Sequence, residues 1–149
     1  MTKKILVLGS GAREHSIIKA IDRSPKPKEI FCIASNMNPG IANLCNEFII
    51  DDFNNPEIVT KYATEKNISL AIIGPENPLQ KGVADALWNA KIKVVGPKKE
   101  LAQIETSKAF TRNLLKKHKI PGGPKYKTFN SFVGVLSFLE DLGDNYVVK

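Results

Sequence analysis

The chain has 149 residues, 42% hydrophobic and 25% charged, with a formal net charge of +7. That length buries one ordinary core, and no apolar run approaches the roughly 20 residues of a membrane helix. Two cysteines exclude a disulfide framework, and Met-Thr-Lys-Lys before only four apolar residues is not a secretory leader, so a reducing, cytoplasmic setting is expected. The lysines are interleaved with acids. Their densest cluster, Lys116-Lys117-His118-Lys119, has no aromatic platform beside it. A solvated basic face, or a potential that draws phosphorylated metabolites, therefore fits better than a nucleic-acid partner.

Ile5-Leu6-Val7-Leu8 reads as a strand buried on both faces, the habit of a parallel sheet covered by helices. Gly9-Ser10-Gly11 then turns tightly into a helix running from about Arg13 to Arg23. A helix start of this kind attracts anions, because its first N–H groups are unpaired and its dipole end is positive. A dinucleotide fingerprint is not complete here: Glu14 stands where the third glycine belongs, and Ile33-Ala34-Ser35-Asn36 lacks the expected acid. A carboxylate at position 14 would also sit poorly beside a pyrophosphate.

Ser24-Pro25-Lys26-Pro27 stops the first helix, and strand two follows at Glu29–Ala34. Ser35 to Gly40 is a turn-forming loop at that strand's C-terminal end. Glu47–Ile50 is a short third strand. A helix over about Pro56–Lys66 carries Ile58, Val59, Tyr62 and Ala63 on one stripe. Strand four is Ser69–Ile73, ended by Gly74-Pro75-Glu76-Asn77-Pro78-Leu79. A helix over about Leu79–Ala90, with Val83, Ala84, Leu87 and Trp88 inward, leads to strand five at Lys91–Val95. This alternation predicts a doubly wound, five-stranded parallel sheet of order 3-2-1-4-5, with the loops after strands one, two and four along one edge.

The character changes after Pro97. Leu101 to about Lys119 reads as helical with a break near Glu105-Thr106-Ser107, and Ile120-Pro121-Gly122-Gly123-Pro124 cannot be helix. Tyr126–Thr128 reads as a short strand, Ser131–Asp141 as a helix and Tyr146–Lys149 as a strand. That last strand has too little chain around it for a second core. The expected organisation is a domain over residues 1–100 and the truncated start of another over 101–149, in a chain that is the N-terminal part of a longer protein.

Gly9-Ser10-Gly11-Ala12-Arg13-Glu14-His15 resembles the opening G-S-G-G-R-E-H of the phosphoribosylamine–glycine ligase (glycinamide ribonucleotide synthetase) family. Ala12 replaces the family's usual glycine, which costs nothing if position 12 is already helical. Ile73-Gly74-Pro75-Glu76-Asn77-Pro78-Leu79 resembles V-G-P-E-x-P-L, and Ala102-Gln103-Ile104-Glu105-Thr106-Ser107-Lys108-Ala109-Phe110 resembles A-x-L-E-x-S-K-x-F. Asn36 to Ala42 resembles the family's P-G-N-x-G-x-A loop with a different order of asparagine, proline and glycine. Tyr146-Val147-Val148-Lys149 is similar to the V-V-K strand of ATP-grasp enzymes.

The resemblance implies a pre-ATP-grasp domain and the first part of an ATP-grasp domain. It also implies a ligase that joins glycine to phosphoribosylamine through glycyl phosphate, using ATP with Mg²⁺ or Mn²⁺. The metal ligands are expected outside this stretch, and the protein is expected to be a monomer or homodimer. The resemblance places substrate on Gly9, Ser10, Gly11, Arg13, Glu14, His15, Asn38, Gly40, Gly74, Pro75 and Glu76, and ATP on Lys108 and Lys149. Read from their chemistry alone, several of these stay open. Arg13 could clamp a phosphate or form a surface ion pair. Glu14 could accept a ribose hydroxyl or favour the first helical turn, and Glu76 could bind hydroxyls or an amine or complement a helix dipole. His15 could move a proton or pack.

Overall fold

A computed structural model describes residues 2–148. Between Thr106 and Ser107 the chain divides into two compact units. The first holds β1 (Lys3–Leu8), α1 (Ala12–Asp22), β2 (Lys28–Ala34), α2 (Pro39–Ala42), β3 (Glu47–Ile50) and α3 (Pro56–Glu65). It continues with β4 (Leu70–Ile73), α4 (Glu76–Lys81), α5 (Val83–Asn89), β5 (Lys93–Val95) and α6 (Lys99–Thr106).

All four strand pairings are parallel, in the order β3-β2-β1-β4-β5 that the sequence predicts. β1 is central because its side chains are apolar on both faces. Leu6 pairs with Phe31 on one side and with Ala71 on the other. Leu6, Val7 and Leu8 are all without solvent exposure. Leu6 and Leu8 belong to a core with Val59 and Ala63 of α3 and Val83 and Leu87 of α5. Val7 points the other way, into a second core with Ile18 of α1, Ile41 of α2, and Ile30 and Cys32 of β2. The two faces follow from the period-two alternation of a strand. α6 packs against α4, and its Ala102 is buried. A 2.6 Å ion pair between Glu47 and Lys66 joins the start of β3 to the end of α3.

Three expectations for the first unit need correction. The single helix over Leu79–Ala90 is two helices, because Gly82 sits at φ 88° and ends α4 before α5 begins. α4 also begins earlier, at Glu76, where Pro75 is the extended residue before the first turn and Pro78 lies within it. Trp88 does not face inward and is half-exposed, while Val83, Ala84 and Leu87 are buried. The short helix α2 was not anticipated; Pro39 starts it and the Asn38 side chain caps it.

The second unit holds α7 (Lys108–Lys117) and α8 (Val135–Leu142). The expected break before α7 is present: Ser107 caps the helix by accepting the Phe110 N–H at 3.2 Å. Neither Tyr126–Thr128 nor Tyr146–Val148 forms a strand, and Lys149 lies outside the described residues. An extended segment becomes a strand only when a neighbour takes its hydrogen bonds, and the described part of this unit supplies none. α8 begins at Val135 rather than Ser131, after Gly134 at φ 77°. No described residue of this unit is buried, and Phe132, Val133 and Leu136 are strongly exposed. Among the described residues no helix is long and apolar enough to cross a membrane.

The contrast between the units predicts opposite responses to truncation. Leu6→Ala should cost about 2–5 kcal/mol in urea unfolding, because it opens a cavity in a sealed core. Phe132→Ala should change the unfolding free energy by less than about 0.5 kcal/mol, because its side chain is almost fully exposed.

Candidate functional site

Three loops leave the C-terminal ends of β1, β2 and β4, the edge where open parallel sheets carry ligands. Hydrogen bonds hold the first loop in place. The Gly9 N–H donates to the Ile33 carbonyl at 2.9 Å, and the Cys32 thiol donates to the Gly9 carbonyl at 3.4 Å. Gly9 adopts φ 108°, which a residue with a Cβ rarely tolerates. Ala12 is the first residue of α1, so the alanine in that position is an ordinary helical residue.

The carboxylate of Glu14 lies at the centre. Its side chain is 5% exposed. Oε2 accepts the Gly11 N–H at 2.7 Å, the reciprocal half of a capping box at the head of α1. Oε1 is buried and accepts no hydrogen bond; the nearest cation is Arg13, whose Nε stands 3.4 Å away. Glycines surround this carboxylate. A Cβ on Gly11 would come within 2.8 Å of Oε2, and one on Gly9 within 3.1 Å of both Glu14 Cγ and Pro75 Cγ. A Cβ on Gly74 would overlap the carboxylate itself. Glu14 therefore needs the bare backbone of two loops in order to be where it is.

Arg13 reaches across the same edge. Its Nη2 lies 3.8 Å from Glu76 Oε2, so one guanidinium stands between a buried and an exposed carboxylate. Both Arg13 and Glu76 remain about half-exposed and free to engage a ligand. The second loop is tied in by Asn38. Its Nδ2 donates to the Ser10 carbonyl at 2.8 Å, while Oδ1 accepts the N–H groups of Gly40 and Ile41 at 3.0 and 3.3 Å. Most of this carboxamide is thus committed to structure. The His15 ring lies against Gly40, where a Cβ would stand 2.6 Å from Cε1, so this pair lets α1 and α2 approach closely.

The structure thus gathers Gly9, Ser10, Gly11, Arg13, Glu14, His15, Asn38, Gly40, Gly74, Pro75 and Glu76 along one edge. It divides them into holders and presenters. Asn38, Gly40 and His15 position the loops, whereas Glu14, Arg13 and Glu76 offer an acceptor, a cation and a second acceptor. Lys108 is the exposed first residue of α7, in the second unit. Lys149 is outside the described residues. Sequence reasoning missed the Cys32 thiol beneath Gly9; an apolar strand hides a polar contact of this kind. Among the described residues no group of three or more histidines, cysteines or acids could hold a metal ion.

Residues 3–105 match the family of the phosphoribosylglycinamide synthetase N domain. The phosphoribosylamine–glycine ligase of Methanosarcina barkeri is 46% identical over 141 residues, which is 95% of this chain and 33% of that protein. The corresponding ligase of Methanosarcina acetivorans is 45% identical over 97% of this chain and 33% of its own length. This chain therefore spans about a third of the length of the curated relatives it matches. Its fold is similar to that of N5-carboxyaminoimidazole ribonucleotide synthetase from Thermotoga maritima, with a TM-score of 0.71 and 20% identity over 95% of this chain and 37% of that one. With a five-stranded parallel sheet, three loops meeting at one edge and a family match over residues 3–105, the chain belongs to the phosphoribosylglycinamide synthetase N-domain family.

Proposed function

We propose that this chain is the phosphoribosyl-binding part of an ATP-dependent, cytoplasmic phosphoribosylamine–glycine ligase. The observation that carries this reading is the buried Glu14 Oε1, which accepts no hydrogen bond, lies against Gly74 and has Arg13 Nε 3.4 Å away. A buried carboxylate oxygen is costly unless a donor reaches it. A ribose hydroxyl or an amine is such a donor, and a phosphate is not. The phosphate end of the same ligand fits the opposite requirement. It would rest on the Arg13 guanidinium, because the start of α1 is already occupied by the Glu14 carboxylate, which takes the Gly11 N–H. Glu76, exposed beside Arg13, would take a further hydroxyl or the amine.

In the proposed reaction ATP phosphorylates the glycine carboxylate, and a divalent cation would supply charge neutralisation for that transfer. The described residues do not fit a metal ion, so the metal is assigned to protein beyond this chain, and no step is placed on it here. This chain's own contribution is positional. It holds the ribosyl phosphate by both ends and presents its amine for attack, the kind of contribution that orientation makes to a two-substrate reaction. Lys108 is proposed to face ATP as the second unit's cation, with Lys149 as its partner in that role. The residues from Ser107 onward are read as the opening of an ATP-grasp domain. In keeping with this, a structural relative from Staphylococcus aureus, an N5-carboxyaminoimidazole synthetase, was solved with ADP.

Titration of the chain with glycinamide ribonucleotide, followed by amide NMR, should shift Gly9 to Glu14 and Glu76, while NAD should leave them unmoved. Shifts with NAD alone would replace this reading with a dinucleotide module. Glu14→Gln keeps an acceptor for Gly11 but loses the charge facing the ligand, and should weaken ribonucleotide binding about 10- to 100-fold in calorimetry. Gly74→Ala should weaken it at least as much by displacing the same carboxylate; unaltered affinity in both variants would rule out Glu14 as a contact. Offered phosphoribosylamine, glycine and ATP, the 149-residue chain alone should form no glycinamide ribonucleotide, and product above the uncatalysed background would contradict the division of labour proposed here.

A further inference from the structure

The positive charge of the chain is concentrated in its second unit. Residues 107–149 hold eight of the 22 lysines and arginines and three of the 15 acids, a net +5 of the total +7. Between Glu105 and Glu140 there are seven such cations and no acid. Arg112 and Lys116 are one turn apart on α7, which sets two like charges side by side at a cost. Among the described residues neither has an ion-pair partner. The end of α7 turns the chain back toward them. Lys119 adopts φ 53°. Its N–H donates to the Lys116 carbonyl at 3.2 Å, and the Ile120 N–H donates to the Leu115 carbonyl at 2.9 Å, the paired bonds of a Schellman close. Further on, the Tyr126 hydroxyl donates to Asn113 Oδ1 at 3.0 Å and ties the returning chain to the helix. Helix and return enclose a pocket of about 190 Å³.

Leu115, Ile120 and Tyr126 give this pocket an apolar side, and Arg112 and Lys116 give it two cations. Pro121-Gly122-Gly123-Pro124 completes the wall with bare backbone. Gly122 takes φ 92°, and a Cβ on Gly123 would stand 3.7 Å from Arg112 Nη1. Among the described residues neither the Gly122 nor the Gly123 N–H has an acceptor. We infer that the pocket binds a phosphate monoester of a small planar group. The phosphate would sit on Arg112, Lys116 and the two glycine N–H groups, with the ring against Leu115, Ile120 and Tyr126. Two uncompensated cations call for a dianion, and a phosphate monoester, with its second pKa near about 6, is one at neutral pH. A guanidinium also grips phosphate with two parallel hydrogen bonds. Size narrows the class. The volume is that of roughly six waters at about 30 Å³ each, below the roughly 300 Å³ at which pockets for larger ligands begin. It suits one ring and one phosphate rather than a nucleoside triphosphate or a nucleic-acid strand. Lys116 and Lys117 both complement the C-terminal dipole of α7, but only Lys116 lines the pocket. The inference depends neither on the ligand of the sheet edge nor on Lys108, which stands eight residues, about 12 Å, before Lys116 on α7.

The test is an amide NMR titration of the full 149-residue chain with phenyl phosphate, in phosphate-free buffer at about pH 7.5. The Gly122 and Gly123 amides should shift together and saturate. Inorganic phosphate, which lacks the ring, should bind about tenfold more weakly at the same amides. Benzoate, with one negative charge, should also bind more weakly. Arg112→Gln and Lys116→Gln should each weaken phenyl phosphate at least about tenfold. Lys117→Gln, the neighbouring lysine outside the pocket, should stay within about twofold of the parent chain. An equal loss in Lys117→Gln would overturn the pocket in favour of a diffuse basic face. So would equal affinity for phenyl phosphate and inorganic phosphate. Benzoate binding as tightly as phenyl phosphate would overturn the assignment to phosphate. Gly122 and Gly123 amides that stay still with phenyl phosphate would overturn the inference outright, and movement with ATP alone would give the pocket to the nucleotide instead.

Discussion

The burial of one carboxylate organises the edge of the sheet at which three loops meet. Glu14 belongs to α1, its hydrogen bond runs to the residue before α1, and its walls come from the loops after β1 and β4. A carboxylate withdrawn from water needs partners close by, and here Oε2 has the Gly11 N–H while Oε1 has only the Arg13 guanidinium beside it. That requirement fixes several other features together. The first loop must bring the Gly11 N–H back over its own helix. The β4 loop must come close without side-chain atoms. Arg13 must lie along the edge, where it also meets Glu76.

The sheet makes such precision possible. β1 is sealed on both faces, so the point from which the first loop departs is held by two cores. Register with β2 and β4 then fixes where the second and third loops emerge. The loops are further stitched to one another by Asn38 and by the Cys32 thiol. Polar side chains here spend their hydrogen bonds on posture, which leaves a small set of presenting groups in defined places. Catalytic and binding sites tend to divide in this way, with supporting groups fixing the ones that touch ligand.

Much of this was legible in the chain itself. Four apolar residues followed by Gly-Ser-Gly specify a buried strand and a turn into a helix, and the strand order follows from handedness and alternation. The grouping of Gly9–His15 with Gly74–Glu76 follows once that order is accepted. What was not legible depends on three-dimensional neighbours. Trp88 fits the apolar stripe of α5 but the packed surface ends before reaching it. The family resemblance offers Asn38 as a substrate contact, and its carboxamide turns out to cap a helix and tether a loop as well. Gly82 divides a helix whose apolar pattern runs on without a break. Tyr126–Thr128 and Tyr146–Val148 have strand composition, but strand formation is a property of pairs, and no described neighbour pairs with them. The strongly exposed Phe132, Val133 and Leu136 likewise show apolar composition without a core.

The walls around Glu14 are built from hydrogen atoms where other residues carry carbon. Gly9, Gly11 and Gly74 each leave room that the carboxylate or a neighbouring ring occupies, and Gly40 does the same for His15. Every other amino acid is larger than glycine, so any missense change at these four positions adds matter to a space already filled. The usual asymmetry of cores, where damage comes from deletion and cavities, is reversed at this edge. A library of truncating substitutions such as an alanine scan, informative elsewhere in the sheet, would here act as a scan by enlargement. The same geometry leaves evolution little freedom to reshape the surroundings of this carboxylate. Variation at this edge is therefore expected to enter at positions such as 13 and 76, whose side chains are half-exposed.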